Sequence, residues 1–227
     1  MSATLAAAVA AAKAAGKVHR TRYGRVRDIR FKSGNQLNLV TEVDGRCERL
    51  IRGLLTRRFP THAFWGEEGG GALDAKRPTW IVDPLDGTTN YAHGYPFFCV
   101  SIALVREGRL AAGVIYDSLR DECFTAERGK GAFLNGRRLR VSRVGAIGQS
   151  LLCTGFAYGV LQTRYNFDNF RNFVMKSQGV RRDGSAAMNL AYVAAGRFEG
   201  FWERGIQAWD MAAGVLLVRE AGGRVTD

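Results

Sequence analysis

From Thr41 onward the apolar residues Val43, Cys47, Leu50, Ile51, Leu54 and Leu55 recur at the three-and-four spacing that lines one face of a helix, and the stripe ends before Phe59-Pro60. Thr41 and Asp44 stand three apart at its start, as in a capping box, so the pattern predicts a helix beginning at Thr41. Ahead of it, residues 4–15 read as an Ala-rich helix. The middle of the chain changes character: residues 79–83, 97–105, 110–116 and 123–126 are short and strand-like, separated by turns at Glu107-Gly108 and at 118–121, and Asn135-Gly136 marks a hairpin. After Ser150 the pattern alternates. A strand at 151–154, a helix near 166–176, a helix from Ser185 stopping at Gly196, a strand at 198–203 and a helix from about 210 to 221, closed by Gly222, are expected. Mixed α/β layers fit this order better than an all-β sandwich.

The chain has 227 residues, 46% hydrophobic and 24% charged, which is the composition of an ordinary folded protein with a sizeable core. With no internal repeat and no linker beyond Gly69-Gly70-Gly71, one domain over residues 1–227 is expected, in two lobes of about 1–145 and 146–227. No apolar window approaches the length of a membrane span. The apolar stretch 5–12 is mostly alanine, and Lys13 and Lys17 follow it, the reverse of a secretory leader. Cys47, Cys99, Cys123 and Cys153 lie far apart with no C-x-x-C pair, which argues against a zinc site or disulfide framework and for free thiols in the cytoplasm.

The net charge is +12, and most of the excess is N-terminal. Arg20, Arg22, Arg25, Arg27, Arg30 and Lys32 form a loose basic run that could meet nucleic acid or attract a phosphorylated metabolite. No aromatic interleaving or nucleic-acid-binding module accompanies it, so a solvated basic face is the simpler reading.

The chemistry concentrates in Trp80-Ile-Val-Asp83-Pro-Leu85-Asp86-Gly87-Thr88-Thr89-Asn90-Tyr91. A hydrophobic strand ends in Asp83, Pro84 turns the chain, and Asp86 precedes a Gly-Thr-Thr stretch able to start a helix. Two carboxylates converging across the turn, with the Leu85 carbonyl, would give the oxygen-only donors that Mg²⁺ favours. The N–H groups of Gly87, Thr88 and Thr89 would suit a phosphate oxygen. Asp-Pro and Asp-Gly are also ordinary turn dipeptides, so the segment alone reads equally as turn and cap. Glu67-Glu68 could stand at another strand end or in a surface loop, and Asp210 could serve only as a helix cap.

Taken together, these blocks resemble the inositol monophosphatase family of Mg²⁺-dependent, lithium-sensitive phosphatases. The resemblance rests on Gly66-Glu67-Glu68, Asp83-Pro-Leu-Asp86-Gly-Thr88-Thr89-Asn-Tyr, and Trp209-Asp210-Met-Ala-Ala-Gly followed by Glu220-Ala-Gly-Gly. It extends over residues 32–44, 129–136 and Asp183-Gly184-Ser185-Ala186-Ala187, nearly the whole chain, and is greatest to bacterial members. The fold it implies is a layered α-β-α-β-α sandwich of the sugar-phosphatase type, here without the last strand and helix that members usually carry after the stretch matching residues 221–227.

The resemblance also implies roles. Glu67, Asp83, Asp86, Asp210 and the Leu85 carbonyl would hold two or three Mg²⁺ ions, with Glu68 beside them on the weaker activating metal. Thr88, paired with Asp44, would orient and deprotonate the attacking water, with Glu67 also in the catalytic set. Asp86, Gly87, Thr88, Gly184, Ser185, Ala186, Glu203 and Asp210 would contact substrate, Glu203 at the sugar hydroxyls. The implied activity is hydrolysis of inositol 1-phosphate by metal-activated water, in a homodimer whose interface could include Arg181 and Arg182, residues that could equally face solvent. Enzymes acting on histidinol phosphate, fructose 1,6-bisphosphate or phosphoadenosine phosphate share the metal blocks, so these blocks do not choose among substrates. A regulatory member that binds RNA or the transcription machinery is the reading from a different class.

Overall fold

Helix α1 (Ala3–Arg22) and helix α2 (Glu42–Arg58) lie side by side on one face of a sheet built from β3 (Ala63–Gly66), β4 (Thr79–Asp86), β5 (Cys99–Arg106), β6 (Arg109–Asp117), β7 (Glu122–Glu127), β8 (Gly131–Leu134) and β9 (Arg137–Arg138). The computed structural model describes residues 1–26, 28–32, 36–156 and 165–227. Strand order follows chain order. The β3–β4 pair is parallel and every later pair antiparallel, as hairpin-length connections require. All eight residues of β4 are buried, because helices cover both faces of the sheet.

Helices α5 (Ala186–Ala194) and α6 (Ala208–Glu220) cover the other face. Beyond them β10 (Leu151–Thr154) lies between β11 (Gly179–Arg181) and β12 (Gly200–Trp202), parallel to both. Residues alternate across this small sheet. Cys153 and Phe201 pack towards the α5–α6 core, whereas Thr154 and Trp202 meet α4 (Tyr165–Val174): Asn166 bonds Thr154 Oγ1 at 3.2 Å, and Phe173 packs on Trp202. The layers therefore run α, β, α, β, α, as the sequence resemblance implied. Among the described residues strand β12 pairs only with β10, and an apolar groove of about 770 Å³ lies beside it, lined by Val193, Phe198, Val215 and Val218 together with Val225–Asp227.

The helix from Thr41 has the expected boundaries and its capping box is formed. Several expectations change, among them the strand at 198–203, which is confined to Gly200–Trp202, and β11, which had not been expected. The N-terminal helix runs on to Arg22 rather than Ala15, because His19 continues its buried face. A hairpin of β1 (Ile29–Phe31) and β2 (Leu39–Thr41), unforeseen, precedes α2. Strand β4 does not end at Asp83 but continues to Asp86, with a bulge that accommodates Pro84, which has no N–H to give a ladder.

Three members of the basic run have defined partners. Arg20 donates to the Tyr116 hydroxyl and the Ser118 carbonyl, Arg30 pairs with Asp28, and Lys32 turns inward; Arg27 lies outside the described residues. The four cysteines are buried and free. Among the described residues no helix is long and apolar enough to cross a membrane.

Candidate active site

The bulge in β4 decides the geometry. In a regular strand, residues three apart face opposite sides of the sheet. Asp83 pairs with Ser101 and Asp86 with Cys99, so β4 takes three steps while β5 takes two, and the extra residue returns both aspartates to the face that meets α5 and α6. Asp83 Oδ1 accepts the Leu85 N–H at 2.9 Å, and His19 on α1 bonds the Pro84 carbonyl at 3.0 Å, fixing the irregular segment from both sides.

Asp86 is held by the start of α5: its Oδ2 accepts the Ser185 hydroxyl at 2.7 Å and the Ala187 N–H at 2.6 Å. Ser185 is also the N-cap of that helix, so its hydroxyl is committed within the protein while the residue lines the cavity. Asp210 opens α6, and its Oδ2 accepts the Gln207 N–H at 2.6 Å, so the capping role expected for it coexists with its place in the cavity. Ser101 Oγ bonds the Trp209 carbonyl at 3.1 Å, tying that helix start to β5.

Glu67 follows β3. Its N–H bonds the Val82 carbonyl at 3.1 Å, and its carboxylate, like that of Asp210, is close enough to Asp83 to disfavour a charge there. Glu68 stands beside Glu67 without lining the cavity, and the Lys32 ammonium bridges the two glutamates at 2.7 and 2.6 Å. Burial alone would lower the Lys32 pKa, but the two carboxylates outweigh it and hold the lysine charged.

Asp44 serves two elements at once. Its Oδ2 accepts the Thr41 N–H at 2.9 Å and the Thr41 hydroxyl at 2.5 Å, closing the capping box, while its Oδ1 accepts the Thr88 hydroxyl at 2.8 Å. Asp44 is fully buried and reaches the cavity only through Thr88. Thr88 begins the short helix α3 (Thr88–Ala92), whose N-cap Gly87 has φ +95°; a Cβ there would meet the Phe97 carbonyl at 2.9 Å, so only glycine fits this turn.

Glu67, Asp83, Leu85, Asp86, Thr88 and Asp210 line one cavity of about 640 Å³, together with Gly184, Ala186 and Glu203. Asn90 and Lys32 also line it without a site role from the sequence, and so does Arg182, for which the sequence suggested a subunit interface or solvent. Asn90 stood in the motif, and its amide bridges the Phe97 and Asp183 carbonyls at 2.7 and 2.6 Å. Lys32 and Arg182 gave no local signal, because their meaning depends on elements that meet only in the fold.

The electrostatics are those of crowded carboxylates. Burial, then Glu67, Asp86 and Asp210, push Asp83 well above the usual carboxylate range. Burial carries Asp86 up to about 7 against its hydrogen bonds from Ser185 and Ala187, and burial followed by Asp86 carries Asp210 to about 7. Glu203 rises to about 7 through burial and then Asp210, and Asp44 to about 6 through burial despite its three donors. Among the described residues no three His, Cys, Asp or Glu side chains close into a ready-made ligand cage; the carboxylates face one another around the cavity. An oxygen-only donor set whose charges oppose one another fits a hard divalent cation, which would relieve that opposition.

The five-layered sandwich and an acidic cavity at its strand ends define a sugar-phosphatase type of protein. The model of the inositol monophosphatase family matches residues 1–227, and the chain belongs to this family of phosphatases. It is 48% identical to a protein named Nus factor SuhB from Pseudomonas aeruginosa, over 97% of this chain and 83% of that one. It is 46% identical to an inositol-1-monophosphatase of Rhizobium meliloti, over 100% and 86% of the two chains. The crystal structure of the extragenic suppressor protein suhB from Bartonella henselae superposes with a TM-score of 0.92 at 44% identity, covering 100% of this chain and 88% of that one.

Proposed function

We propose that this chain is a Mg²⁺-dependent, lithium-sensitive phosphomonoesterase acting on inositol 1-phosphate, working as a homodimer in the cytoplasm. The observation that carries the reading is the convergence of Glu67, Asp83, Asp86 and Asp210 on the cavity lined by Thr88, whose hydroxyl is bonded to Asp44. Glu67, Asp83, Asp86, Asp210 and the Leu85 carbonyl would hold two or three Mg²⁺ ions, with Glu68 supporting the weaker one. Bound there, Mg²⁺ would supply charge neutralisation at the phosphoryl oxygens and a lowered pKa for the attacking water.

The chain's own residues do the rest. Thr88 has one hydroxyl proton, with Asp44 Oδ1 at 2.8 Å and the Leu85 carbonyl at 2.9 Å as acceptors; directing it to the charged Asp44 leaves an oxygen lone pair free to accept a proton from water in the cavity. Ionised Asp44 draws that proton from Thr88 as the water's proton arrives, so Asp44 acts through the threonine. Glu203 accepts hydrogen bonds from the substrate's ring hydroxyls, and Gly184 and Ala186 leave room for the ring beside it. Asp86 and Asp210 help orient the substrate as well as holding metal.

Phosphate release at several Mg²⁺ concentrations from inositol 1-phosphate, histidinol phosphate, fructose 1,6-bisphosphate and phosphoadenosine phosphate tests this, with Asp83→Asn as the blank. The expected result is a Mg²⁺-dependent, lithium-suppressed preference for inositol 1-phosphate that Asp83→Asn abolishes. Preference for another of the four would replace the substrate and keep the chemistry; wild-type-like turnover by Asp83→Asn would overturn the site assignment.

A further inference from the structure

The second turn of α2 carries a buried carboxylate that the chemistry above leaves unused. Glu48 lies four residues after Asp44, on the same side of the helix, and is 4% exposed. Its Oε2 accepts the Glu68 N–H at 2.8 Å, and its Oε1 accepts Arg52 Nη2 at 3.1 Å. The Arg52 guanidinium lies over the Phe64 ring of β3, 4.2 Å from its centroid, so arginine and glutamate together brace the strand end from which the metal loop departs.

The loop is wrapped tightly around this carboxylate. A Cβ added at Gly66 would stand 2.2 Å from Glu48 Oε2, and one added at Gly69 would stand 2.4 Å from Glu48 Oε1, both far inside any real contact. Glu67 and Glu68 are thus flanked by glycines whose missing side chains make room for one charged acceptor. The Gly66 N–H is taken by the Gly70 carbonyl and the Glu67 N–H by the Val82 carbonyl, each at 3.1 Å, and at the Glu68 N–H the glycine-flanked backbone is held by a charge-assisted bond to Glu48.

We propose that Glu48 is a positioning residue for the Glu67–Glu68 pair: its carboxylate fixes the loop backbone so that Glu67 faces the cavity and Glu68 stands beside it, and so sets how tightly divalent metal is held there. One helix then delivers two parts of the site a turn apart, Asp44 to Thr88 and Glu48 to the metal loop. This inference rests on the metal-dependent reading above.

Binding of Mn²⁺ to the full chain, followed by electron paramagnetic resonance without substrate, tests it in Glu48→Ala and Glu48→Gln. Loss of a group that orients metal ligands costs about 10–100-fold in metal affinity, the loss expected of Glu48→Ala. Turnover of inositol 1-phosphate by that variant should return close to the wild-type kcat at saturating Mg²⁺, because the reacting groups are intact. Glu48→Gln, which keeps an oxygen to accept the Glu68 N–H, should recover most of the affinity. Wild-type Mn²⁺ affinity in Glu48→Ala, or a kcat that saturating metal does not restore, would overturn the assignment. Should Glu48→Ala fail to fold, Gly69→Ala, which drives a methyl group at Glu48 Oε1 and leaves every carboxylate in place, must show the same loss of affinity or the inference fails. A wild-type chain that binds no Mn²⁺ would instead sink the metal reading itself and this inference with it.

Discussion

Thr88 donates its hydroxyl proton to Asp44 across 2.8 Å, although 44 positions of sequence separate them. The bond joins the first turn of α2 to the first turn of α3, so the carboxylate that caps one helix also accepts a hydrogen bond from a hydroxyl of the cavity wall. Thr88→Val removes the hydroxyl at nearly constant volume and should lower kcat by about 10²–10⁴-fold, the usual contribution of a positioned acid–base group. Thr88→Ser should keep most of the rate. Steady-state kinetics at saturating Mg²⁺ checks both, and an active valine variant would remove the hydroxyl from the mechanism.

Asp44→Asn should separate the two roles of that residue. The amide accepts fewer bonds than the carboxylate, so loss of the cap should cost about 1 kcal/mol of stability, while turnover falls as far as in Thr88→Val. Urea unfolding and kinetics measured on the same preparation would show whether the losses dissociate; a variant that keeps full activity contradicts the proton path.

The crowded carboxylates give a pH signature. Asp86 and Asp210 are raised to about 7 and Asp44 to about 6 from the ordinary aspartate value of 3.8. Raised carboxylates bind more protons folded than unfolded across that window, so their contribution to stability is full below about 3.8 and is lost as pH rises through about 6 to 7. A cation that relieves the opposition should therefore raise Tm little at the acid end of the window and most above it. Thermal melts with Mg²⁺ and with EDTA across the range check this; a Mg²⁺ shift of constant size would contradict it.

His19 titrates with the opposite sign. Burial, only partly offset by its bond to the Pro84 carbonyl, lowers its pKa to about 4 from 6.5. The folded state keeps it neutral, so its contribution is present above 6.5 and is lost as pH falls towards 4, where the linkage amounts to about 3 kcal/mol. His19→Gln, whose amide can still donate to Pro84 but does not titrate, should flatten stability over that interval. Urea unfolding at the two ends, with EDTA present in both, measures it; an unchanged slope would assign the acid sensitivity elsewhere.

Lys32 occupies a place between two carboxylates that a divalent ion would also favour. Lys32→Met should tighten Mg²⁺ binding several-fold by removing an internal competitor, of the order expected for one partly buried charge pair. In EDTA the same variant should melt at a lower temperature, because Glu67 and Glu68 then face each other without a cation. Isothermal titration and thermal melts check the two halves; weaker Mg²⁺ binding would make the lysine a supporting group instead.

Much of the fold was legible where local pattern and burial agree. The stripe from Val43 to Leu55 fixed α2, Asn135-Gly136 fixed the β8–β9 hairpin, and the apolar run at Leu151–Thr154 became β10 with those bounds. The β1–β2 hairpin was not legible: its strands are three residues each, and Ile29, Arg30 and Phe31 are exposed, so no alternation of inward and outward residues marks them. The course of β4 through Pro84 was also hidden, since a proline reads locally as a turn and only pairing with β5 reveals a bulge.

By itself the sequence determined the family resemblance, because carboxylates next to glycine, proline and threonine in the order Glu67, Asp83, Asp86, Asp210 form a spaced motif that needs no coordinates, and that resemblance named the candidate site residues. It also determined the layer class, through the alternation of helical and strand-like periods. Only the tertiary structure decided that Asp83 and Asp86 face the same way, because one extra residue in β4 reverses the side on which every later side chain falls. It alone brought Ser185 to Asp86 and Asp44 to Thr88, contacts between elements distant in the chain. The reason is physical: residue type and local period are properties of short segments, whereas the meeting of two buried polar groups is settled by how whole layers pack.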